Sequence, residues 1–150
     1  MYHAIVRRRA RGVFEQLSAG DWERIAGQLA PDVHHVFPGD HPLGGERHTR
    51  AAVLRWLERL GRLYPGHDFH IHRVLSRGWP WSTWVVIQWT AQLRPQVGEP
   101  YGNAGSHWVR IRWGKATYFH AYLDTERIAR SCAAMAAGGV EEAAAPPLVD

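Results

Sequence analysis

One cysteine and one lysine stand in a chain of 150 residues. A lone thiol excludes a disulfide within the chain and fits a reducing compartment. Cys132 recurs with Ile128 and Met135 at helical spacing, which reads as packing rather than nucleophilic duty. No stretch approaches the ~20 apolar residues of a membrane span. The start, Met-Tyr-His-Ala-Ile-Val-Arg-Arg-Arg, puts its arginines after the short apolar run, the reverse of a signal peptide. A cytoplasmic protein with no membrane partner is expected.

Charge of one sign is not concentrated either. Lys115 is the only lysine among 18 basic residues, and against 14 acidic ones the net charge is +4. Arg24, Arg47, Arg73, Arg94, Arg110 and Arg127 are scattered. Only Arg7, Arg8, Arg9 and Arg11 cluster, and on a helix those four wrap too far round to form a stripe. No nucleic-acid partner is expected. What the chain does have is tryptophan, eight residues, and histidine, ten.

Periodicity divides the chain into helices and strands. Val6, Ala10, Val13, Phe14 and Leu17 recur at helical spacing over residues 3–19, stopped by Ser18-Ala19-Gly20. Asp21 is positioned to cap a short second helix with Trp22, Ile25, Ala26 and Leu29 on its apolar stripe and Pro31 at its end. Val33 to Phe37 reads as a strand, and Pro-Gly-Asp-His-Pro-Leu-Gly-Gly at 38–45 as a loop. Thr49 caps a third helix through Val53, Trp56, Leu57 and Leu60, stopped by Pro65-Gly66. Strands follow at 67–75, 83–93 and 106–113, with a last one up to residue 123. A final helix runs through Ile128, Cys132 and Met135. Residues 138–150 hold few large apolar side chains and read as a flexible tail after a domain of residues 1–137. A strap over a pocket or a partner is the alternative.

The hairpin over residues 107–124 is the most informative stretch. Alternation puts His107, Val109, Ile111 and Trp113 on one face and Trp108, Arg110 and Arg112 on the other, with Gly114-Lys115 supplying the turn. His107 is thus a polar group among apolar ones. It is either a core histidine satisfied by a backbone carbonyl or a functional group.

The order helix, helix, strand, helix, then four strands predicts an α+β fold: a curved antiparallel sheet, three helices of the N-terminal half against one face, and a short C-terminal helix. Three helices leave part of such a sheet uncovered, and a cone-shaped pocket forms in the gap.

Several motifs in this order resemble the nuclear transport factor 2-like superfamily, and within it the SnoaL-like group related to ketosteroid isomerases. They are Phe37-Pro38-Gly39-Asp40-His41-Pro42-Leu43-Gly44-Gly45, Trp79-Pro80-Trp81, Tyr101-Gly102-Asn103-Ala104-Gly105-Ser106-His107, Gly114-Lys115 and Tyr122-Leu123-Asp124-Thr125. The resemblance implies a cone-shaped α+β barrel over roughly residues 3–137. It does not carry one activity across. The isomerases' general-base aspartate, immediately before a proline on the first strand, corresponds to Phe37. The SnoaL-like cyclases' histidine, seven residues ahead of the turn glycine, corresponds to His107. Their acid/base aspartate, seven residues past that glycine, corresponds to Ala121. The paired arginine and aspartates of limonene-epoxide-hydrolase-like members are not evident on the inward faces.

Candidate chemistry therefore rests on His107, with His35 if the first strand turns it inward, and on Asp40 at the pocket mouth. Trp22, Phe37, Trp56, Tyr64 and Trp89 are expected to line an apolar cavity for a flat hydrophobic ligand, or to be plain core. The expected activity is cofactor-free isomerisation, cyclisation or dehydration, the alternative a non-catalytic ligand-binding or protein-interaction module. No cofactor and no metal site are expected, because His34 and His35 face opposite ways and no Cys pair or His-Glu-x-x-His occurs. Trp84, Gln88, Trp108, Arg110, Arg112, His120 and Tyr122 share the outer sheet face. That composition suits a homodimer interface.

Overall fold

The computed structural model describes residues 1–150. Helix α1 (Tyr2–Ala19) and the one-turn helix α2 (Trp22–Ala26) lead into strand β1 (Leu29–Phe37) and the short strand β2 (Gly45–Arg47). Helix α3 (Arg50–Leu63) follows, then β3 (Gly66–Trp79), β4 (Ser82–Arg94), β5 (Tyr101–Arg112) and β6 (Lys115–Leu123). The chain closes with α4 (Thr125–Ala137) and a 3-10 turn at Glu141–Ala144. The six strands form one curved, unclosed sheet in the order β2-β1-β6-β5-β4-β3. All pairings are antiparallel except β1 with β6, which run parallel.

Local chemistry sets the boundaries. Thr49 Oγ1 accepts a hydrogen bond from the Ala52 amide at 3.1 Å and starts α3. Asp124 does the same for α4 through the Arg127 amide at 3.3 Å. Asp21, by contrast, makes no side-chain cap for α2. That helix ends at Ala26, so Leu29 and Pro31 belong to β1 and not to the helical stripe expected for them. Proline is tolerated there because Pro31 lies outside the β2 ladder, which takes only His35 to Phe37, and within the register shift between Leu29 and His34 on the β6 side.

The β5–β6 turn also differs from expectation. Trp113 and Gly114 both have positive φ, 50° and 80°, and link the paired Arg112 and Lys115. This is the twist that a two-residue hairpin requires. Trp113 is consequently 73% exposed and leaves the inward row, while Lys115 opens β6.

Inward residues of β4 alternate as Val85, Ile87, Trp89, Ala91 and Leu93, all buried. They meet Val53, Trp56 and Leu57 of α3, with Val6 and Phe14 of α1, in one core. Register shifts in the β3–β4 pairing at Ile71/Arg73 and in the β5–β6 pairing at Arg110/Ile111 help the sheet to curl round this core.

Residues 138–150 lie against the body rather than standing free. Glu142 receives Arg59 Nε at 3.2 Å and Arg62 Nη2 at 2.6 Å, and Pro146 O receives Arg59 Nη1 at 2.8 Å. Arg47 Nη1 donates to Leu148 O at 2.6 Å. Hydrogen bonds to backbone carbonyls hold this strap where apolar burial is scarce. No helix of the chain is long and apolar enough to cross a membrane.

Candidate functional site

Between the helices and the concave sheet lies a cavity of about 240 Å³, and 28 of its 32 lining residues are hydrophobic. It extends along β5. One end is formed by Ile5 and Arg9 of α1 with Gly114 and Ala116 of the hairpin, the other by Tyr64, Tyr101 and Ile128. Ile5 and Arg9 are exposed, so the first end is the opening. There Arg9 Nη2 donates to Gly114 O at 3.4 Å. Phe37, Trp56, Tyr64 and Trp89 line the cavity and at the same time belong to the buried core, whereas Trp22 does not line it. Its indole stacks on His67 and covers Gly61, where a Cβ would collide with it. One turn of helix was too little periodicity to tell the two faces apart.

Apart from Arg9 and Gln28 and the turn glycine, the only non-hydrophobic lining residue is His107. Its ring sits between Phe14 and Trp89, with centroids 5.5 and 5.7 Å away. Trp89 Nε1 donates to His107 Nδ1 at 2.8 Å. An indole N–H can only donate, so Nδ1 is bare and the neutral ring carries its hydrogen on Nε2. Burial, reinforced slightly by His120, lowers the His107 pKa to about 4, so the ring is neutral at physiological pH. With Nδ1 filled and Nε2 protonated, His107 offers the cavity a hydrogen-bond donor and no free base. Neutral imidazole in this state polarises an oxygen acceptor.

His35 does not join it. The side chain is fully buried beside the cavity, stacked on Phe119 at 4.1 Å and edge-on to Trp56 at 4.6 Å. Arg47 Nε donates to its Nδ1 at 3.0 Å, which again assigns the hydrogen to Nε2. That N–H has no partner. Burial first, then the Arg47 charge, holds the His35 pKa well below the ordinary imidazole value. The expected meeting of His35, Asp40 and His107 is not formed. Asp40 is exposed on the loop and does not line this cavity. The loop reaches the cavity only through Leu43, and the rest of it is held at the rim because His41 Nε2 bonds Pro38 O, Arg59 reaches Pro42 O and Trp56 Nε1 donates to Leu43 O at 2.8 Å.

Neither carboxylate position of the related enzymes is filled. Across the sheet, His107 pairs with Ala121, which is fully buried, and Phe37 lies on the neighbouring strand beyond it. No carboxylate lines the cavity. Two further polar atoms sit at its closed end, where Tyr101 Oη donates to Tyr64 Oη at 3.4 Å. Burial pushes both phenols up, Tyr101 to about 12, so both stay neutral hydroxyls. Tyr101 was not anticipated as a lining residue. The glycine-rich run after it hid the strand that turns it inward.

The SnoaL-like domain family matches residues 10–119, more than half of the chain. The chain belongs to the SnoaL-like family. No curated protein matches it. Among solved structures, this SnoaL-like chain is similar to an NTF2-like protein of unknown function from Burkholderia pseudomallei, at 21% identity and TM-score 0.73, over 82% of this chain and 93% of that one. It is similar to TerC, co-crystallised with polyporic acid, at 22% identity and TM-score 0.69, over 86% and 95%. A scytalone dehydratase-like protein from Novosphingobium aromaticivorans matches at 15% identity and TM-score 0.65, over 81% and 86%. These likenesses establish the NTF2-like fold and leave the chemistry to the site.

Proposed function

We propose that this SnoaL-like protein binds a flat, apolar small molecule bearing one oxygen acceptor, with His107 as its polar anchor. The observation that carries the reading is the Trp89 to His107 hydrogen bond. It turns the imidazole midway along an apolar cavity into an Nε2–H donor, whereas the two phenol hydroxyls at the closed end are turned to each other. The volume of about 240 Å³ lies between the roughly 150 Å³ that accepts benzene and the roughly 300 Å³ at which drug-sized sites begin. A ligand of a few fused or linked rings fits that range. The co-crystal of TerC with polyporic acid supports treating a cavity of this fold as a small-molecule site.

Catalysis is the second reading, and the tautomer of His107 favours a particular form of it. A neutral Nε2–H stabilises a developing enolate or alkoxide on the ligand, which serves cofactor-free isomerisation, cyclisation or dehydration. The proton acceptor in such a step belongs to the ligand or to water, because Phe37 and Ala121 occupy the positions of the related carboxylates. The two readings separate in the His107→Gln variant, through ligand affinity and turnover measured on the same protein.

The same proposal includes a homodimer through the outer sheet face in a cytoplasmic protein. Trp84, Trp108 and Tyr122 are 40%, 45% and 51% exposed there. Arg110 lies over Trp84, and His120 stacks on Tyr122 at 4.1 Å. Aromatic and arginine side chains in contiguous exposure suit an interface.

A further inference from the structure

On the face of the sheet opposite the cavity, β1, β2 and the residue after β2 gather His34, Glu46 and His48. Antiparallel pairing of His35 with Arg47 and Val36 with Glu46 sets His34 across from His48. The two imidazoles stack with centroids 4.6 Å apart. Glu46 Oε2 lies 2.8 Å from His34 Nε2 and 3.9 Å from His48 Nε2.

Asp150 determines the state of His48. Its two carboxylate oxygens accept from the His48 backbone amide at 2.6 Å and from the His48 ring Nδ1 at 2.7 Å. With the hydrogen on Nδ1, a neutral ring leaves the Nε2 lone pair bare. That lone pair lies 3.9 Å from the Glu46 carboxylate, two acceptors facing each other, an opposition that a proton or a metal cation between them relieves.

We propose that His34 Nε2, Glu46 Oε2 and His48 Nε2 form a binding site for a divalent transition-metal ion of the zinc type. Imidazole and carboxylate donors suit that class of ion. All three donor atoms lie within 4.8 Å of one another. Bonds of about 2.0–2.1 Å draw them together by modest rotation of exposed side chains. His34 changes from donor to ligand by moving its hydrogen from Nε2 to Nδ1, so the neutral ring releases no proton. Three protein ligands leave one tetrahedral position open to water at the sheet edge. Asp150 is a positioning residue, the outer carboxylate that orients a ligating histidine. Metal binding would then tie β1, β2 and the C-terminus at one point.

The test is calorimetric titration of the tag-free, chelator-treated full chain with ZnCl₂. One equivalent per chain is expected at tens of micromolar protein. His34→Ala, Glu46→Gln and His48→Ala should each abolish uptake. Asp150→Asn should weaken it roughly 10–100-fold, the usual cost of losing an orienting carboxylate. His70→Ala, on β3 outside the site, should leave it unchanged. In the wild-type chain, Zn²⁺ should shift the imidazole resonances of His34 and His48 together. That measurement decides the matter if a variant misfolds. No uptake, or uptake that survives loss of His34 and His48, overturns the proposal. An absence of uptake with His48 found protonated between Asp150 and Glu46 would show that a proton fills the place assigned to the metal.

Discussion

Trp89 Nε1 donates to His107 Nδ1 at 2.8 Å, and the indole thereby decides which nitrogen of the imidazole meets the cavity. Nitrogen chemical shifts of His107 should report the Nε2–H tautomer. They should stay constant from pH 8 to about pH 5, because the pKa lies near 4. An Nδ1–H ring, or titration near 6.5, would refute the donor assignment. Trp89→Phe removes the donor and should release the tautomer preference.

His107→Gln tests function against folding. Glutamine keeps an N–H donor and similar size but cannot hold imidazole's geometry or charge. If His107 anchors the ligand or stabilises a transition state, the variant should melt within about 1 kcal/mol of wild type. It should then lose affinity or rate only as far as the amide misses the position of Nε2, whereas His107→Leu, which carries no donor, should lose roughly 100-fold where chemistry depends on the donor. A planar apolar ligand that quenches tryptophan fluorescence and raises the melting temperature equally in all three proteins would assign His107 to structure alone.

The strap and the parity of the sheet differ in how readable they were. Period-two alternation announced that Val85 to Leu93 and His107 to Ile111 face inward, since each residue type reports its own side of the sheet. The strap announced nothing comparable. Its anchors are Arg59 on Pro42 O and Pro146 O, and Arg47 on Gly44 O, Gly45 O and Leu148 O. A backbone carbonyl leaves no signature in composition, so composition alone leaves the flexible tail and the strap both open. Likewise, nothing in the spacing of His34, Glu46, His48 and Asp150 anticipated their meeting, which depends on the three-residue strand β2 inside a loop.

Stability should fall on acidification in a window to which His35, His107 and the buried His41, its pKa also lowered by burial, contribute. His35 and His107 fold with pKa values lowered from 6.5, by burial first in each case. Above pH 6.5 both are neutral in the folded and unfolded chains and contribute no pH dependence. As pH drops below 6.5 the unfolded chain takes up protons that the folded chain refuses, so stability declines at up to about 1.4 kcal/mol per pH unit for each histidine. For His107 the decline levels off below about pH 4, once the folded ring is protonated too. His107→Gln should flatten part of the slope in denaturant titrations between pH 6.5 and 4. An unchanged slope would show that the ring is hydrated through the opening.

Replacing Trp84 and Trp108 with glutamate should give a folded monomer if the outer face joins two copies. Both side chains are exposed in the single chain, so the substitutions remove little from its own core. Sedimentation at tens of micromolar should show the wild type as a dimer and the double variant as a monomer of equal melting temperature. A monomeric wild type would sink the interface.

Removal of residues 138–150 gives the most demanding test of how the candidate site is held. The cut strips Glu142 and Pro146 O from Arg59, which is only 8% exposed, and Leu148 O from Arg47, which is fully buried. Each charged donor left short of partners costs about 1–3 kcal/mol, and the two losses share the loop of residues 38–48 and do not simply add. Arg47 also holds His35, so its loosening reaches the wall formed by Phe37, Trp56 and Phe119. The truncated chain should melt several degrees lower and exchange the amides of that loop faster, while the β4–β5 ladder stays protected. Glu142→Gln, which spares the carbonyl contacts, should cost less than the full cut. Equal melting of the truncated and full chains would mean that the strap rests on the body without supporting it.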